Sequence, residues 1–191
     1  MNAATSPPTT SSGRGIVSTL TDTVPKPVSP GAEMDALARF HRDVCWAGVI
    51  RAGGMGPGSP RMTATGHGHH RFIQDGRWIM GDYEQDQYLP NGTFVLRWQL
   101  HWVAGWDPAA EEYRATIADC YGHTDVLRGW IDGDLLTFQT IDDHAQVRIR
   151  LFWHLERPDR IIWRNEVSVH RGPFELVERY VCRPLDEPPP A

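Results

Sequence analysis

Three of the chain's nine histidines fall within four positions, His67-Gly68-His69-His70, and a run of carboxylates, Asp82, Glu84 and Asp86, follows. Histidine changes charge near neutral pH and also ligates transition metals through a neutral ring nitrogen, so this spacing suits either proton transfer or metal binding. Alternate residues of a strand share a face, which sends His67 and His69 one way and His70 the other. One candidate metal set is therefore His67, His69, His101 and Asp82, whose ligand types fit zinc or iron.

Those side chains acquire faces only through the strands that carry them. From Val44 onward, alternating or β-rich runs are separated by Asp75-Gly76, Asn91-Gly92, Asp107-Pro108, Asp132-Gly133, Asp142-Asp143, Pro158-Asp159 and Gly172-Pro173, the punctuation of consecutive hairpins. A meander this long with one apolar face protects its edges by closing into a single antiparallel β-barrel. The expected fold class is all-β, with one short N-terminal helix after Ser29-Pro30, where Met34, Leu37, Ala38, His41 and Val44 recur at helical spacing. Residues 1–30, rich in Ser, Thr and Pro, read as a disordered tail, 31–183 as the barrel domain and 184–191 as a flexible C-terminal tail.

Opposite residues of an antiparallel pair share a face, so each tight turn fixes a register. The Asp75-Gly76 turn sets His69 opposite Asp82 and His67 opposite Glu84. The Asn91-Gly92 turn then sets Asp82 beside His101, Glu84 beside Gln99 and Asp86 beside Arg97. Leu96, Trp98, Leu100 and Trp102 form the apolar face of the next strand, so His67, His69 and His101 are expected outside the barrel and His70 inside. Across Asp107-Pro108 the inner face continues as Trp102/Ile117, Leu100/Asp119, Trp98/Tyr121 and Leu96/His123. A turn over 123–125 brings Arg128 opposite Asp119. A loop from Glu156 to Arg160 sets Trp153 against Trp163 and Leu151 against Asn165. The last strand places Phe174, Leu176, Glu178, Tyr180 and Cys182 beside Val169, Val167, Asn165, Trp163 and Ile161.

Bulk properties narrow the function classes. At 191 residues, 40% hydrophobic and with eight tryptophans, the chain buries a sizeable single core. A formal charge of −5 without a basic run argues against nucleic acid. No segment approaches the roughly 20 apolar residues of a helical membrane span, so a cytoplasmic protein with no membrane partner is expected. Cys45, Cys120 and Cys182 lie far apart, which reads as free thiols. There is no G-x-G-x-x-G, P-loop or G-x-S-x-G motif, and no cofactor is expected.

GRWIMGDYEQ, GWDPAAEEYRATIADCYG and RGWIDGDLL, within residues 76–136, resemble an uncharacterised bacterial family of calycin-like β-barrels, similar in shape to lipocalins and fatty-acid-binding proteins. The resemblance covers most of residues 44–183 and implies a barrel enclosing a small-molecule site. His67-Gly68-His69 separately resembles the first half of the cupin metal motif. Ile73 or Gln74 stands where that motif has glutamate, and no proline-glycine-histidine half follows.

Each buried polar group costs roughly 1–3 kcal/mol unless paired, so the inward polar residues are the candidate site. The expected catalytic group is His70, Asp119, His123, Glu178 and Tyr180, placed to move protons. The expected ligand-binding group is Tyr83, Gln85, Trp98, Trp102, Tyr121, Arg128, Trp153, Trp163 and Asn165. Together they point to a hydrophobic, polycyclic or polyketide-like ligand and a cofactor-independent cyclisation, isomerisation or dehydration in natural-product biosynthesis. The alternatives are a non-catalytic lipocalin-type binding protein and a metal-dependent enzyme using the His67/His69 strand. A homodimer is left open.

Overall fold

The computed structural model describes residues 29–185, and the tail positions 1–28 and 186–191 lie outside the described residues. A helix α1 (Ala32–Ala38) precedes ten strands: β1 (Val44–Ile50), β2 (Met62–Ile73), β3 (Trp78–Tyr88), β4 (Phe94–Asp107), β5 (Glu112–Asp119), β6 (Thr124–Asp132), β7 (Leu135–Thr140), β8 (Val147–Arg157), β9 (Arg160–Val169) and β10 (Glu175–Pro184). Each strand pairs antiparallel with its chain neighbours, and β10 pairs with β1, so the expected meander closes and leaves no edge strand.

Alternation along β2 puts Gly66, Gly68 and His70 on the inner face. A Cβ added at Gly66 would sit 2.5 Å from the Trp46 ring, and one at Gly68 2.5 Å from the Tyr83 ring. The glycines interleaved with the histidines are thus the floor under two aromatic rings. The same small-under-large pairing recurs where Trp102 covers Gly81 and Phe138 covers Gly129. Trp102, Trp153 and Trp163 stack in a column, with centroids 5.4 and 6.1 Å apart and planes within 17°.

Helix α1 seals one end of this column. Met34, Leu37 and Phe40 are buried, and the Tyr113 hydroxyl donates to the Glu33 carbonyl at 2.8 Å. The helix stops at Ala38, and its N-cap is Gly31 without a side-chain cap. The helical spacing expected to run through His41 and Val44 ends early because Val44 already pairs with Gly68 and Pro184 in the sheet. The Asp43 carboxylate also fixes the approach to β1, accepting the His70 backbone N–H at 2.8 Å. Connections alternate between ends, so the turns after β2, β4, β6 and β8 lie at the covered end. Those after β1, β3, β5, β7 and β9 surround an open one.

Most registers agree with the turn arithmetic: His69/Asp82, His67/Glu84, Asp82/His101, Gln85/Trp98, Leu100/Asp119, Trp153/Trp163, Leu151/Asn165 and Glu178/Asn165 all face each other. Two stretches differ. β5 ends at Asp119 and the turn occupies 120–123, so Ala118 meets Thr124 and Arg128 meets Arg114. This odd shift from the expected Asp119/Arg128 pairing moves Arg128 to the outer face. Near the start of β10 a bulge between Leu176 and Glu178 puts Glu175, rather than Leu176, opposite Val167.

Candidate functional site

The inner faces of the strands divide into two halves with different character. In the covered half, next to α1, Trp46, Tyr83, Trp102, Phe138, Trp153 and Trp163 are all buried and leave only a void of about 10 Å³. Trp102, Trp153 and Trp163, expected to line a ligand cavity, instead fill this half by packing on one another. In the open half, Leu96, Trp98, Ile117, Ile149 and Val167 face inward by register yet remain half-buried. Inward side chains that solvent still reaches define a vestibule with apolar walls.

The floor of the vestibule is polar. Trp46 Nε1 donates to Gln85 Oε1 at 2.9 Å, and because an indole only donates, this bond turns the Gln85 amide nitrogen away from Trp46. Next to Gln85 is the Tyr180 hydroxyl, which also lies within reach of Glu178. Asn165 Nδ2 donates to Glu178 Oε2 at 2.5 Å. Burial raises the Glu178 carboxyl above the usual carboxylate range, against the lowering effect of the bonds from Asn165 and Tyr180. Burial also raises the Tyr180 hydroxyl, and the neighbouring Glu178 adds to the shift. In both groups burial favours the neutral, proton-carrying form over the charged one.

This floor is incompletely satisfied. Gln87 Oε1, Asn165 Oδ1 and the Tyr180 hydroxyl have no well-aligned partner, although Gln87 and Tyr180 are 1% and 0% exposed. Buried polar atoms are normally paired, so three orphans on one surface facing one space mark a place built to receive a partner. On the opposite wall, Asp125 is raised by desolvation despite accepting from Thr140 Oγ1 at 2.6 Å.

Asp119 faces the same space but is already occupied. Its Oδ1 accepts from the Tyr121 and His123 backbone N–H groups, both at 2.9 Å, and its Oδ2 from Trp98 Nε1 at 3.3 Å. Desolvation pushes this carboxyl up, but bonds from His123, Trp98 and Tyr121 outweigh it and hold the group ionised. By tying its own turn together, Asp119 keeps Tyr121 and His123 out of the vestibule. Tyr121 is 52% exposed and the His123 side chain 82% exposed, in place of the inward positions expected for both.

His70 is inside, as expected, but at the covered end. Its Nδ1 donates to the Arg42 carbonyl at 2.7 Å and its Nε2 accepts from the Tyr83 hydroxyl at 2.9 Å, so both partners fix one neutral tautomer. Burial lowers His70 to about 4, against the raising effects of Arg42 and Asp43. His41 stacks on His70 at 5.2 Å and meets Trp102 edge-on at 4.6 Å. Burial, with the nearby His70, lowers it well below the usual imidazole value, and neither ring nitrogen has a partner. His41, Trp46, Gln87, Asp125 and Thr140 are the inward polar residues that the sequence reading did not single out.

The histidine ribbon lies outside the barrel. His67, His69, Asp82, Glu84, Gln99 and His101 line an open groove of about 470 Å³ on the outer face of β2–β5. His101 pairs with Asp82, and His69 Nδ1 lies 3.1 Å from Asp43 Oδ2. Among the described residues, no three His, Cys, Asp or Glu side chains are arranged to hold a metal ion.

The fold and the vestibule together define a closed ten-stranded antiparallel barrel with a polar-floored open half. No protein-family model and no curated protein matches this chain. The crystal structure of Rv2717c from M. tuberculosis is similar, with a TM-score of 0.57 at 10% sequence identity, over 82% of this chain and 99% of that one. At that identity the likeness carries the barrel fold and nothing of the site. No described helix is long and apolar enough to cross a membrane.

Proposed function

We propose that this protein binds a small, largely apolar molecule in the open half of its barrel, between the walls formed by Trp98, Ile117, Ile149 and Val167 and the floor formed by Gln85, Asn165, Glu178 and Tyr180. The observation that carries the reading is the row of orphaned polar atoms on that floor, Gln87 Oε1, Asn165 Oδ1 and the Tyr180 hydroxyl. The orphans of the covered half, on His41, Trp102 and Trp163, lie among packed rings that leave a void of about 10 Å³, whereas those of the floor adjoin the half-buried walls.

A second reading, turnover in the same site, is favoured by one feature. Glu178 is a carboxyl raised by burial beside a tyrosine, an arrangement suited to moving a proton to a carbonyl oxygen or an alkene in an isomerisation or dehydration. The acid/base group expected from the sequence narrows in this reading to Glu178 and Tyr180, since His70 is at the covered end and His123 faces solvent.

Fluorescence titration with the neutral apolar probe N-phenyl-1-naphthylamine tests the primary reading. Wild type is expected to bind it saturably, and Val167→Trp, which fills the vestibule, to lose binding while Val126→Ser on the outer face, where Val126 is exposed, keeps it. Equal binding by all three proteins would place the probe elsewhere and overturn the proposal.

A further inference from the structure

Resting on the open half as the binding site, we infer that its ligand is an electrically neutral molecule presenting an amide-like edge, an N–H or O–H beside a C=O, and that the site rejects carboxylates such as fatty-acid anions. The charge argument comes first. No described side chain facing the open half is Arg or Lys, since Arg128, Arg148 and Arg150 all stand on the outer face. The ionisable groups that do face it by register are Asp119, Asp125, Glu178 and, nearer the rim, Glu175 opposite Val167, all of them acids. An anion entering there meets only acidic groups, with no counter-charge to offset its desolvation.

The hydrogen-bond pattern then specifies the neutral edge. Two orphan atoms, Gln87 Oε1 and Asn165 Oδ1, only accept, so the ligand must bring a donor. The Tyr180 hydroxyl, out of alignment with both Gln85 and Glu178, supplies the complementary donor to an acceptor on the ligand. Glu178 Oε2 already accepts from Asn165 Nδ2. A group that donates and accepts side by side satisfies this surface, whereas a hydrocarbon leaves it orphaned and a carboxylate adds acceptors where acceptors already stand.

Four compounds of one shape test this: naphthalene, 2-acetonaphthone, 2-naphthamide and 2-naphthoate, titrated into the full chain at pH 7.5 by calorimetry or by displacement of N-phenyl-1-naphthylamine. The expected order is amide tightest, ketone next, hydrocarbon about tenfold or more below the amide, and naphthoate weakest. Tyr180→Phe, which removes the donor and keeps the ring, is expected to erase the advantage of the amide, and Val126→Ser on the outer face to preserve the order. Naphthoate binding as tightly as the amide, or all four binding equally, overturns this inference and leaves the open-half site standing. Failure of all four compounds and of the probe overturns both.

Discussion

Trp46 on β1 and Gln85 on β3 share a hydrogen bond of 2.9 Å that passes across β2. It does so because Gly66, the residue between them in the register, has no side chain to block it. The bond sets the orientation of Gln85 and, through it, the polar floor on which Tyr180 and Glu178 stand.

Gly66→Ala is therefore expected to cost about 1–3 kcal/mol of stability by overpacking, since its Cβ would lie 2.5 Å from the Trp46 ring. It is also expected to weaken probe binding by displacing Gln85. Urea denaturation together with the fluorescence titration checks both effects, and unchanged stability would contradict the close packing of Gly66 against the Trp46 ring and the Glu84 carbonyl oxygen.

Acid sensitivity should originate at the covered end. His70 is lowered to about 4 from its ordinary 6.5, chiefly by burial, so between those values the unfolded chain binds a proton that the folded chain refuses. Stability is complete above pH 6.5 and falls as pH drops toward 4, by an amount on the order of 3 kcal/mol. Urea midpoints measured from pH 7.5 to 4.5 should show this slope. A midpoint that does not fall over that range would contradict the neutral tautomer assigned to His70.

His41 offers a substitution of unusual sign. Both of its ring nitrogens are buried without partners among Trp102, Trp153 and His70. Replacing it with an apolar ring removes an unsatisfied group without opening a cavity. His41→Phe is expected to be neutral or to stabilise by about 1 kcal/mol at pH 7, and to reduce the acid sensitivity described above. A loss of more than about 2 kcal/mol in urea unfolding would show that the imidazole has a partner of its own.

The outer ribbon should be dispensable for the barrel. His67 is exposed, and Arg97 meets Asp86 at 2.7 Å and Glu84 at 3.1 Å from a half-exposed position. Such pairs contribute about 0.2–1 kcal/mol. His67→Ala and Arg97→Ala should each change stability by less than about 1 kcal/mol and leave N-phenyl-1-naphthylamine binding unaltered. Thermal melts and probe titration of the two variants measure this.

The turns explain which parts of this molecule were legible in the sequence. Asp75-Gly76 and Asn91-Gly92 fixed the pairing of β2, β3 and β4, and with it the outward His67 and His69 and the inward His70, Tyr83 and Gln85. Gln87 was within reach of the same arithmetic, two residues beyond Gln85 on the same face. Trp46 was not, because its place depends on closure of β1 against β10 and on the long β1–β2 connection over 51–61, which fixes no register. The β5–β6 turn misled because its determinant is a side chain. Asp119 accepts two backbone N–H groups within its own turn, so the carboxylate expected to pair with Arg128 was committed locally. His41 lies in a segment with no repeating pattern, where only the packed structure reveals burial.

The most direct test of the open-half site is the set of indole N–H resonances, followed by two-dimensional NMR while 2-naphthamide is added. Trp98 bonds Asp119 in the vestibule wall and Trp46 bonds Gln85 beneath its floor, whereas Trp130 is 45% exposed on the outer face. Saturable shifts of Trp98 and Trp46 with Trp130 unmoved are predicted. Shifts confined to Trp130, or saturable binding that leaves Trp98 and Trp46 unmoved, would contradict a ligand site in the open half of the barrel.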